Sequence, residues 1–298
     1  MTPRYHPGSS SDESGYFPPG KSILRKVHDE RIVGAIYGQL SLLKQASNPL
    51  AFTGLMQSTS GLDAPFKRLA RTAQKMEVVF FGSRAEADRV TAGVRRMHAN
   101  VQGTIERDAG KFEAGSRFSA NDSDLALWIL ACLADSSLAV YKNFVGPLSH
   151  QELRQFWQEY KLVGELFALA PEAMPDTYDD FRAYMRGKLD GDDLFVTDEA
   201  RELGRQVAFA LPLPPHFLPA LPAVNLAVLG LLPQSLRQMY RLQWSPLHNA
   251  AFQSMALASR LSHPFVLPAL RRGPSGDEYG QVARTEARLN HWRKLQSN

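Results

Sequence analysis

Apolar residues recur along most of this chain at the three- and four-residue spacing of amphipathic helices. No stretch shows the sustained alternation of apolar and polar residues that marks a half-buried strand, and no segment repeats. The pattern therefore predicts an all-α fold. We expect helices at residues 28–46, 49–58, 64–81, 84–107, 122–145, 150–169, 178–189, 198–210, 223–231, 234–242, 247–271 and 277–295.

Polar residues mark the starts of several predicted helices. Ser83 and Ser149 each precede a glutamate by three residues, and Thr177 precedes Asp180 at the same distance. This is the spacing of a capping box, in which two side chains bind the free amides of the first helical turn. The starts of these helices are therefore predicted more sharply than their ends.

The sequence predicts an N-terminal arm followed by one domain. Residues 1–20 are rich in serine, glycine and proline, which is typical of a flexible segment. Residues 21–298 contain no linker long or polar enough to separate two domains, so we expect a single large helical domain. Five prolines in residues 211–232 predict an irregular crossing before the last helices.

Composition and charge bear on location and partners. The chain is 44% hydrophobic and 21% charged, as a folded globular protein is, and its net charge of +4 comes from scattered lysines and arginines. We therefore expect no nucleic-acid partner. The N-terminus lacks the apolar core of a signal peptide, and the longest apolar stretch is interrupted by prolines. We expect a cytoplasmic protein without a membrane partner.

Several kinds of catalytic site are excluded by missing motifs. The sequence contains no Gly-x-Gly-x-x-Gly, no P-loop, no His-Glu-x-x-His and no Cys-x-x-Cys. No histidine follows a glutamate by three positions, so the Glu-x-x-His pattern of di-iron bundles is missing. The single cysteine, Cys132, excludes an internal disulfide and stands in an apolar run. A site with one histidine ligand remains, and haem needs only one protein ligand.

His98 is the candidate for that ligand. It lies within an apolar stripe of the predicted helix 84–107, and small residues flank it. On periodicity alone, a buried, hydrogen-bonded structural histidine is the commoner arrangement, although a neutral imidazole in an apolar cleft also suits iron. The stripe consists of Val90, Val94, Met97, Val101 and Ile105.

A second cluster lies one helix upstream. Arg68, Arg71 and Thr72 are spaced i, i+3 and i+4 in the predicted helix 64–81, so they share one face. A pair of surface arginines is the simpler interpretation. If this face is buried, the guanidinium groups need anionic partners, and haem propionates would satisfy them with paired hydrogen bonds.

Four segments, in order along the chain, resemble the oxygenase family that includes MpaB-type enzymes and latex clearing protein, or rubber oxygenase. The resemblance covers residues from about 30 to about 272. A His-x-x-Val-x-Gly motif alone is weak, but four ordered blocks with consistent spacing are more specific. The blocks are residues 66–72 with 79–82, residues 94–103, residues 118–128, and residues 230–237 with Tyr240 and Trp244.

The resemblance implies a globin-like helical core with extra helices, a haem b cofactor and oxidative cleavage of carbon–carbon double bonds in isoprenoids. It implies that His98 is the proximal iron ligand, and that Arg68, Arg71 and Thr72 lie on the distal side or near the propionates. We accordingly expect residues 21–298 to form a haem-binding oxygenase domain.

Two departures from the family pattern bear on the site. Many relatives have Ala-His-Pro before the Arg-Thr block, where this chain has Asn48 before Pro49. Rubber oxygenase has a lysine at the position of Arg71, and an arginine does not readily lose a proton to bind iron. We also expect neither the secretion signal nor the membrane anchor of those relatives, and hence no polymeric rubber substrate.

The leading hypothesis is a cytoplasmic haem b-dependent oxygenase that acts on a small apolar molecule with dioxygen. His98 would be the axial ligand of the iron, and Arg68 and Arg71 would bind propionates. Arg71 and Thr72 would be catalytic, donating hydrogen bonds to dioxygen or to a carboxylated substrate. A homodimer is compatible with the sequence. The alternatives are a haem-binding or sensing protein without turnover, motivated by Asn48, and a helical scaffold in which His98 is structural.

Overall fold

The computed structural model confirms that the protein is predominantly helical, and the small sheet is a minor addition. It describes residues 15–57, 65–212 and 215–273, and also residues 280, 282, 284–288 and 290. The helices in these ranges are α1 (Ile23–His28), α2 (Arg31–Gln45), α3 (Pro49–Gln57), α4 (Pro65–Phe81), α5 (Arg84–His98), α6 (Ser123–Phe144), α7 (His150–Leu166), α8 (Tyr178–Asp190), α9 (Asp198–Phe209), α10 (Leu221–Leu231), α11 (Gln234–Met239), α12 (Pro246–Ser262) and α13 (Pro268–Arg271). The globin-like arrangement stays a prediction.

Helix α6 is the centre of the core, and its most extensive interface is with α2. Small residues on α6 (Ala131, Cys132 and Ala134) are fully buried and allow the two helices to approach closely. The length and composition of α6 would also suit a membrane span. However, 61% of its apolar window is buried inside this fold, as in the core helix of a soluble protein.

The predicted capping boxes are all present. Ser83 begins α5, Ser149 begins α7 and Thr177 begins α8, and each accepts a hydrogen bond from the backbone amide three residues later. In each case the acidic side chain accepts the reciprocal bond from the backbone amide of the cap residue. Local chemistry therefore determines where these helices begin.

Two predicted helices are wrong in part. The predicted helix 84–107 ends at His98, and strand β1 (Gln102–Thr104) follows and pairs antiparallel with β2 (Arg117–Ser119). The predicted helix 247–271 is interrupted at His263–Phe265, where Pro264 and then Pro268 lack the amide that a continuous helix requires. Helix α1 precedes the first predicted helix.

The packed part of the chain begins before Lys21. Phe17 is 1% exposed and belongs to the hydrophobic core, and the Tyr16 hydroxyl donates a hydrogen bond to Asp88 on α5. A single large aromatic residue thus anchors a stretch whose composition is typical of a flexible arm. Residues 1–14 of the predicted arm lie outside the described residues.

A buried ion network joins three helices of the core. Lys44 on α2 is 1% exposed, and its Nζ lies 2.6 Å from Oδ2 of Asp135 on α6. Arg182 on α8 donates to the other oxygen of the same carboxylate. Burial alone would raise the pKa of Asp135, but the charges of and hydrogen bonds from Lys44 and Arg182 outweigh it and lower that pKa. Asp135 is therefore a carboxylate at neutral pH.

We expect Asp135→Asn to lower the free energy of unfolding by about 3–5 kcal/mol, because it leaves the Lys44 ammonium buried without a counter-charge. Adding Lys44→Met should restore part of the loss, since a pair of uncharged side chains has no unpaired charge. Urea denaturation measures both effects. Because the pKa of Asp135 is lowered by folding, the stabilisation should be present above about pH 4 and lost as the pH falls further.

Asp176→Asn is the matched control. Asp176 pairs with Lys161 at 3.6 Å but is 91% exposed, so its loss should change the stability by less than about 0.5 kcal/mol. Equal effects of Asp135→Asn and Asp176→Asn would contradict a structural role for the buried network.

Candidate functional site

Helices α4 and α5 form an antiparallel hairpin that is closed at its turn. Gly82 links the two helices, and a Cβ at this position would lie 2.6 Å from the carbonyl oxygen of Val78. Near the turn, Val79 on α4 and Ala87 on α5 are fully buried. Residues 15 and 16 also contact this end, since Arg84 donates to the carbonyl of Gly15 and Tyr16 donates to Asp88. The turn of the hairpin is therefore enclosed.

His98 lies at the outer end of the buried face of α5. Ala87, Thr91 and Val94 are the buried residues of this helix, and their spacing of four and three residues continues to His98. The side chain of His98 is only partly buried. The stripe differs from the one that the sequence predicted, because Met97 is 42% exposed and Val90 is only partly buried. His98 thus stands where the packed face of α5 opens towards solvent.

The Arg-x-x-Arg-Thr residues lie on the outer half of α4. Thr72 precedes Val79 by seven residues, so both lie on the same side of the helix. Val79 is fully buried near the turn, whereas Thr72 and Arg71 are exposed. The side chain of Arg68 lies outside the described part of the structure. This side of α4 is therefore closed at the turn and open farther out, as α5 is.

Distances along the hairpin can be compared by counting residues from Gly82. At about 1.5 Å per residue, His98 lies about 24 Å from the turn, Arg68 about 21 Å and Thr72 about 15 Å. His98 is thus nearly level with the backbone of Arg68 and about two turns beyond Thr72. The antiparallel hairpin brings all three positions to its open half.

The β-hairpin after α5 explains the spacing of the His-x-x-Val-x-Gly motif. The carbonyl of His98 accepts a hydrogen bond from the amide of Val101, which turns the chain out of the helix. Val101 is buried, and a Cβ on Gly103 would lie 3.2 Å from Phe118 on the paired strand and 3.3 Å from Gln57 on α3. The motif therefore fixes the end of α5 against α3 through a close backbone approach that glycine permits.

The charged residues on the outer half of the hairpin are all cationic. Residues 65–76 of α4 and residues 89–98 of α5 contain no aspartate or glutamate. The cations on these stretches are Lys67, Arg68, Arg71, Lys75, Arg89, Arg95 and Arg96. One carboxylate from elsewhere lies close by, because Glu286 accepts hydrogen bonds from the amides of Phe66 and Lys67 at the start of α4. The surroundings still favour an anionic ligand over a cationic one.

Glu286 was not identified from the sequence. It lies near the C-terminus, its carboxylate is buried, and burial raises its pKa despite the two backbone hydrogen bonds. A carboxylate at a helix N-terminus is stabilised by the free amides and the helix dipole. Its separation of 220 residues from Phe66 explains why no local motif revealed it.

A narrow cleft lies between α4 and helices α1 and α2. It has an empty volume of about 270 Å³ including its open mouth, and His28, Tyr37, Glu77 and Phe80 are among its lining residues. His28 shares a hydrogen bond of 2.7 Å with the Tyr160 hydroxyl, and burial lowers its pKa to about 3. His28 is therefore neutral at physiological pH, and it is stacked among aromatic rings rather than exposed to a ligand.

Asn48, which stands where many relatives carry histidine, has a structural role. It is 5% exposed, and its Oδ1 accepts a hydrogen bond from the Ala51 amide in the first turn of α3. Its Nδ2 donates to the carbonyl of Asp193 at 3.4 Å. Asn48 therefore caps a helix and ties it to the segment before α9, and both polar ends of the side chain are used.

The other candidate ligands are enclosed or committed to other contacts. Cys132 is fully buried, and burial raises the pKa of its thiol well above the ordinary value, so it is a thiol and not a thiolate. His248 completes the N-terminal cap of α12, and His263 lies 2.9 Å from Glu30. Among the described residues, no group of three or more His, Cys, Asp or Glu side chains could hold a metal ion.

Comparison with known proteins identifies a family for most of the chain. The sequence model of the family described as "ER-bound oxygenase mpaB/B'/Rubber oxygenase, catalytic domain" matches residues 24–261. The match contains α4, α5, the β-hairpin and Asn48, and ends within α12. No curated protein and no solved structure was found to match this chain.

Proposed function

We propose, since the chain belongs to the family of MpaB-type and rubber oxygenase catalytic domains, that it is a haem b-dependent oxygenase with His98 as the iron ligand. The substrate would be a small apolar molecule such as an unsaturated isoprenoid, with dioxygen as co-substrate. The observation that carries the proposal is the position of His98 at the outer end of the buried face of α5.

The open half of the hairpin fits the requirements of haem b. The cofactor is flat and largely apolar, and it carries two propionates at one edge. A partly buried imidazole at a helix end can reach a metal, and the hydrogen bond from the Val101 amide to the His98 carbonyl fixes the backbone that carries the imidazole. The arginines and lysines on both outer helix halves provide partners for the propionates. Arg68, by its place in α4, and Arg71 are assigned this role.

Haem b bound in this position would supply the redox chemistry that activates dioxygen. The protein's own residues would hold and orient the reactants. The Thr72 hydroxyl and the Arg71 guanidinium, both exposed on the outer half of α4, would donate hydrogen bonds to a polar atom of dioxygen or of the substrate. A guanidinium has hydrogen-bond donors and no acceptor, so Arg71 would act as a donor and not as a ligand.

A haem-binding or sensing protein without turnover is the second candidate. The observation that favours it is the use of Asn48 as a helix cap, because both polar ends of its side chain are bound to the backbone. Both candidates require the same His98 ligand and differ in whether dioxygen is consumed.

The full-length protein should bind hemin with a Soret band that survives dialysis, and His98→Ala should abolish that band. His150→Gln is the matched control, since His150 is an exposed histidine at the start of α7. It should leave the band unchanged. A wild-type protein that does not bind hemin, or a His98→Ala variant with an unaltered spectrum, would rule out both candidates.

Thr72→Val should keep the Soret band but lower dioxygen consumption with farnesol by roughly a hundredfold, because the donor is lost while the shape is kept. Thr72→Ser should restore most of the rate. Thr104→Val is the control, since Thr104 is an exposed residue of β1 outside the hairpin of α4 and α5. Dioxygen uptake measured with an oxygen electrode separates the candidates, and a haem-loaded protein that consumes none would favour the sensing protein.

A further inference from the structure

The outward face of α12 is apolar. Its core-facing residues Phe252 and Ala256 are buried, as expected. On the opposite side, apolar or small residues recur at the three- and four-residue spacing of one helix face, and all of them are exposed or largely so. They are Leu247, Ala250, Ala251, Ser254, Leu257, Ala258 and Leu261. An amphipathic surface helix usually presents polar residues here, so α12 has two apolar sides.

The apolar surface continues past the end of α12. Phe265 is 86% exposed, and Leu267 and Leu270 are 66% and 67% exposed. We call the six most exposed of the large apolar side chains in this region the apolar ridge: Leu247, Leu257, Leu261, Phe265, Leu267 and Leu270. Contiguous exposed apolar patches of this kind usually mark a surface that another molecule covers.

The segment that carries the outer part of the ridge is held in place. Glu30 is buried at the start of α2, and its carboxylate lies 2.9 Å from His263 and 3.2 Å from Arg271. The amide of Gly273 donates to the carbonyl of Asp29, and the guanidinium of Arg31 donates to the carbonyl of Arg272. These contacts fix both ends of residues 263–273, so the exposure of Phe265 and its neighbours is part of the fold.

The part of the chain that carries the ridge contains cationic but no anionic side chains. Residues 203–276 contain six arginines and no aspartate or glutamate, although the whole chain has 30 acidic residues. Arg260 on α12 and Arg272 after α13 are exposed at the margins of the ridge. Among the described residues, the carboxylates paired with this segment are those of Asp29 and Glu30: Glu30 pairs with His263 and Arg271, and Arg272 lies 4.0 Å from Asp29 and 3.9 Å from Glu30. Both carboxylates are thus already matched by cations of the segment itself. An anionic surface would therefore complement the margins.

We propose that the apolar ridge docks this protein onto a bilayer that contains anionic lipid. The leucine and phenylalanine side chains would enter the boundary between headgroups and acyl chains, and Arg260 would contact lipid phosphates. Helix α12 is about 25 Å long, and its inner side is committed to the core, so it would lie in the plane of the membrane and not cross it. The inference does not depend on the haem proposal.

A second copy of the chain fits the ridge less well. A twofold interface would bring the margins of the two copies together, and residues 203–276 contribute arginines but no carboxylate to pair with them. The earlier expectation of no membrane partner rested on the lack of a long uninterrupted apolar stretch. The residues of an interfacial face recur every three or four positions with other residues between them, so such a face forms no long uninterrupted apolar stretch.

Vesicle flotation of the full-length protein tests the proposal. We expect binding to phosphatidylcholine vesicles that contain one quarter phosphatidylserine, weaker binding to pure phosphatidylcholine vesicles, and release at high salt. A triple variant, Leu261→Ser, Phe265→Ser and Leu270→Ser, should lower the bound-to-free ratio roughly tenfold or more. Because these side chains are exposed, its thermal unfolding midpoint should stay close to that of the wild type.

Two control variants, Phe195→Ser and Arg186→Gln, separate the effect of the ridge from general effects of surface substitutions. Phe195→Ser removes a 43% exposed aromatic residue outside the ridge and should not change binding. Arg260→Gln should weaken binding only to the anionic vesicles, whereas Arg186→Gln, an equal change of charge on the exposed surface of α8, should not.

Three results would overturn the proposal: no flotation of the wild type, equal flotation with and without phosphatidylserine, or a triple variant that binds as the wild type does. Sedimentation velocity tests the alternative that a second copy of the chain binds the ridge. A concentration-dependent dimer that the triple variant abolishes, without vesicle binding, would assign the ridge to a second copy instead.

Discussion

The pairing of Lys44 with Asp135 is the constraint on which the central packing depends. It places an ammonium group, 1% exposed, inside the interface of α2 and α6, the most extensive helix pair in the fold. A charge at such a depth is tolerated only with its partner in position, so the relative placement of the two helices is tightly restricted. Arg182 extends the restriction to α8. Helix α4 in turn contacts α1, which packs on α2, α6 and α7, so the inner half of the hairpin of α4 and α5 rests on this core.

Helices α4 and α5 each have a buried half near their turn and a more exposed outer half, which carries the candidate site. Val79 and Ala87 are fully enclosed near the turn, whereas Thr72 and His98, on the corresponding faces farther out, are not. The buried half fixes the helix directions, and the β-hairpin fixes the end of α5 through Val101 and Gly103. A ligand between the outer halves would meet side chains whose backbones are already held, which reduces the cost of ordering on binding.

Sequence patterns predicted the helical class and the helix starts, because capping and apolar periodicity are local. The patterns failed where tertiary contacts determine the end of a helix or the burial of a residue. Val101 and Ile105 continue the helical spacing beyond His98, but their burial comes from the β-hairpin, so the predicted helix was too long. Phe17 is buried within a stretch of arm-like composition.

The site residues were predictable in type but not in arrangement. Periodicity placed His98 on an apolar face, and only the family resemblance singled it out as a ligand. The exposure of Thr72 and His98, beyond the buried Val79, depends on which distant residues cover each helix face. No local sequence pattern records that. Glu286 reaches the start of α4 from the far end of the chain and could not be inferred from spacing.

Imidazole rescue of a His98→Gly variant tests the central claim most directly, because it asks whether the cofactor needs an imidazole at this one position. The variant should bind hemin weakly, and added imidazole should restore the Soret band and the affinity of the wild type by filling the space that the side chain leaves. Wild-type affinity of His98→Gly without imidazole, or a spectrum that imidazole leaves unchanged, would show that His98 does not hold the iron.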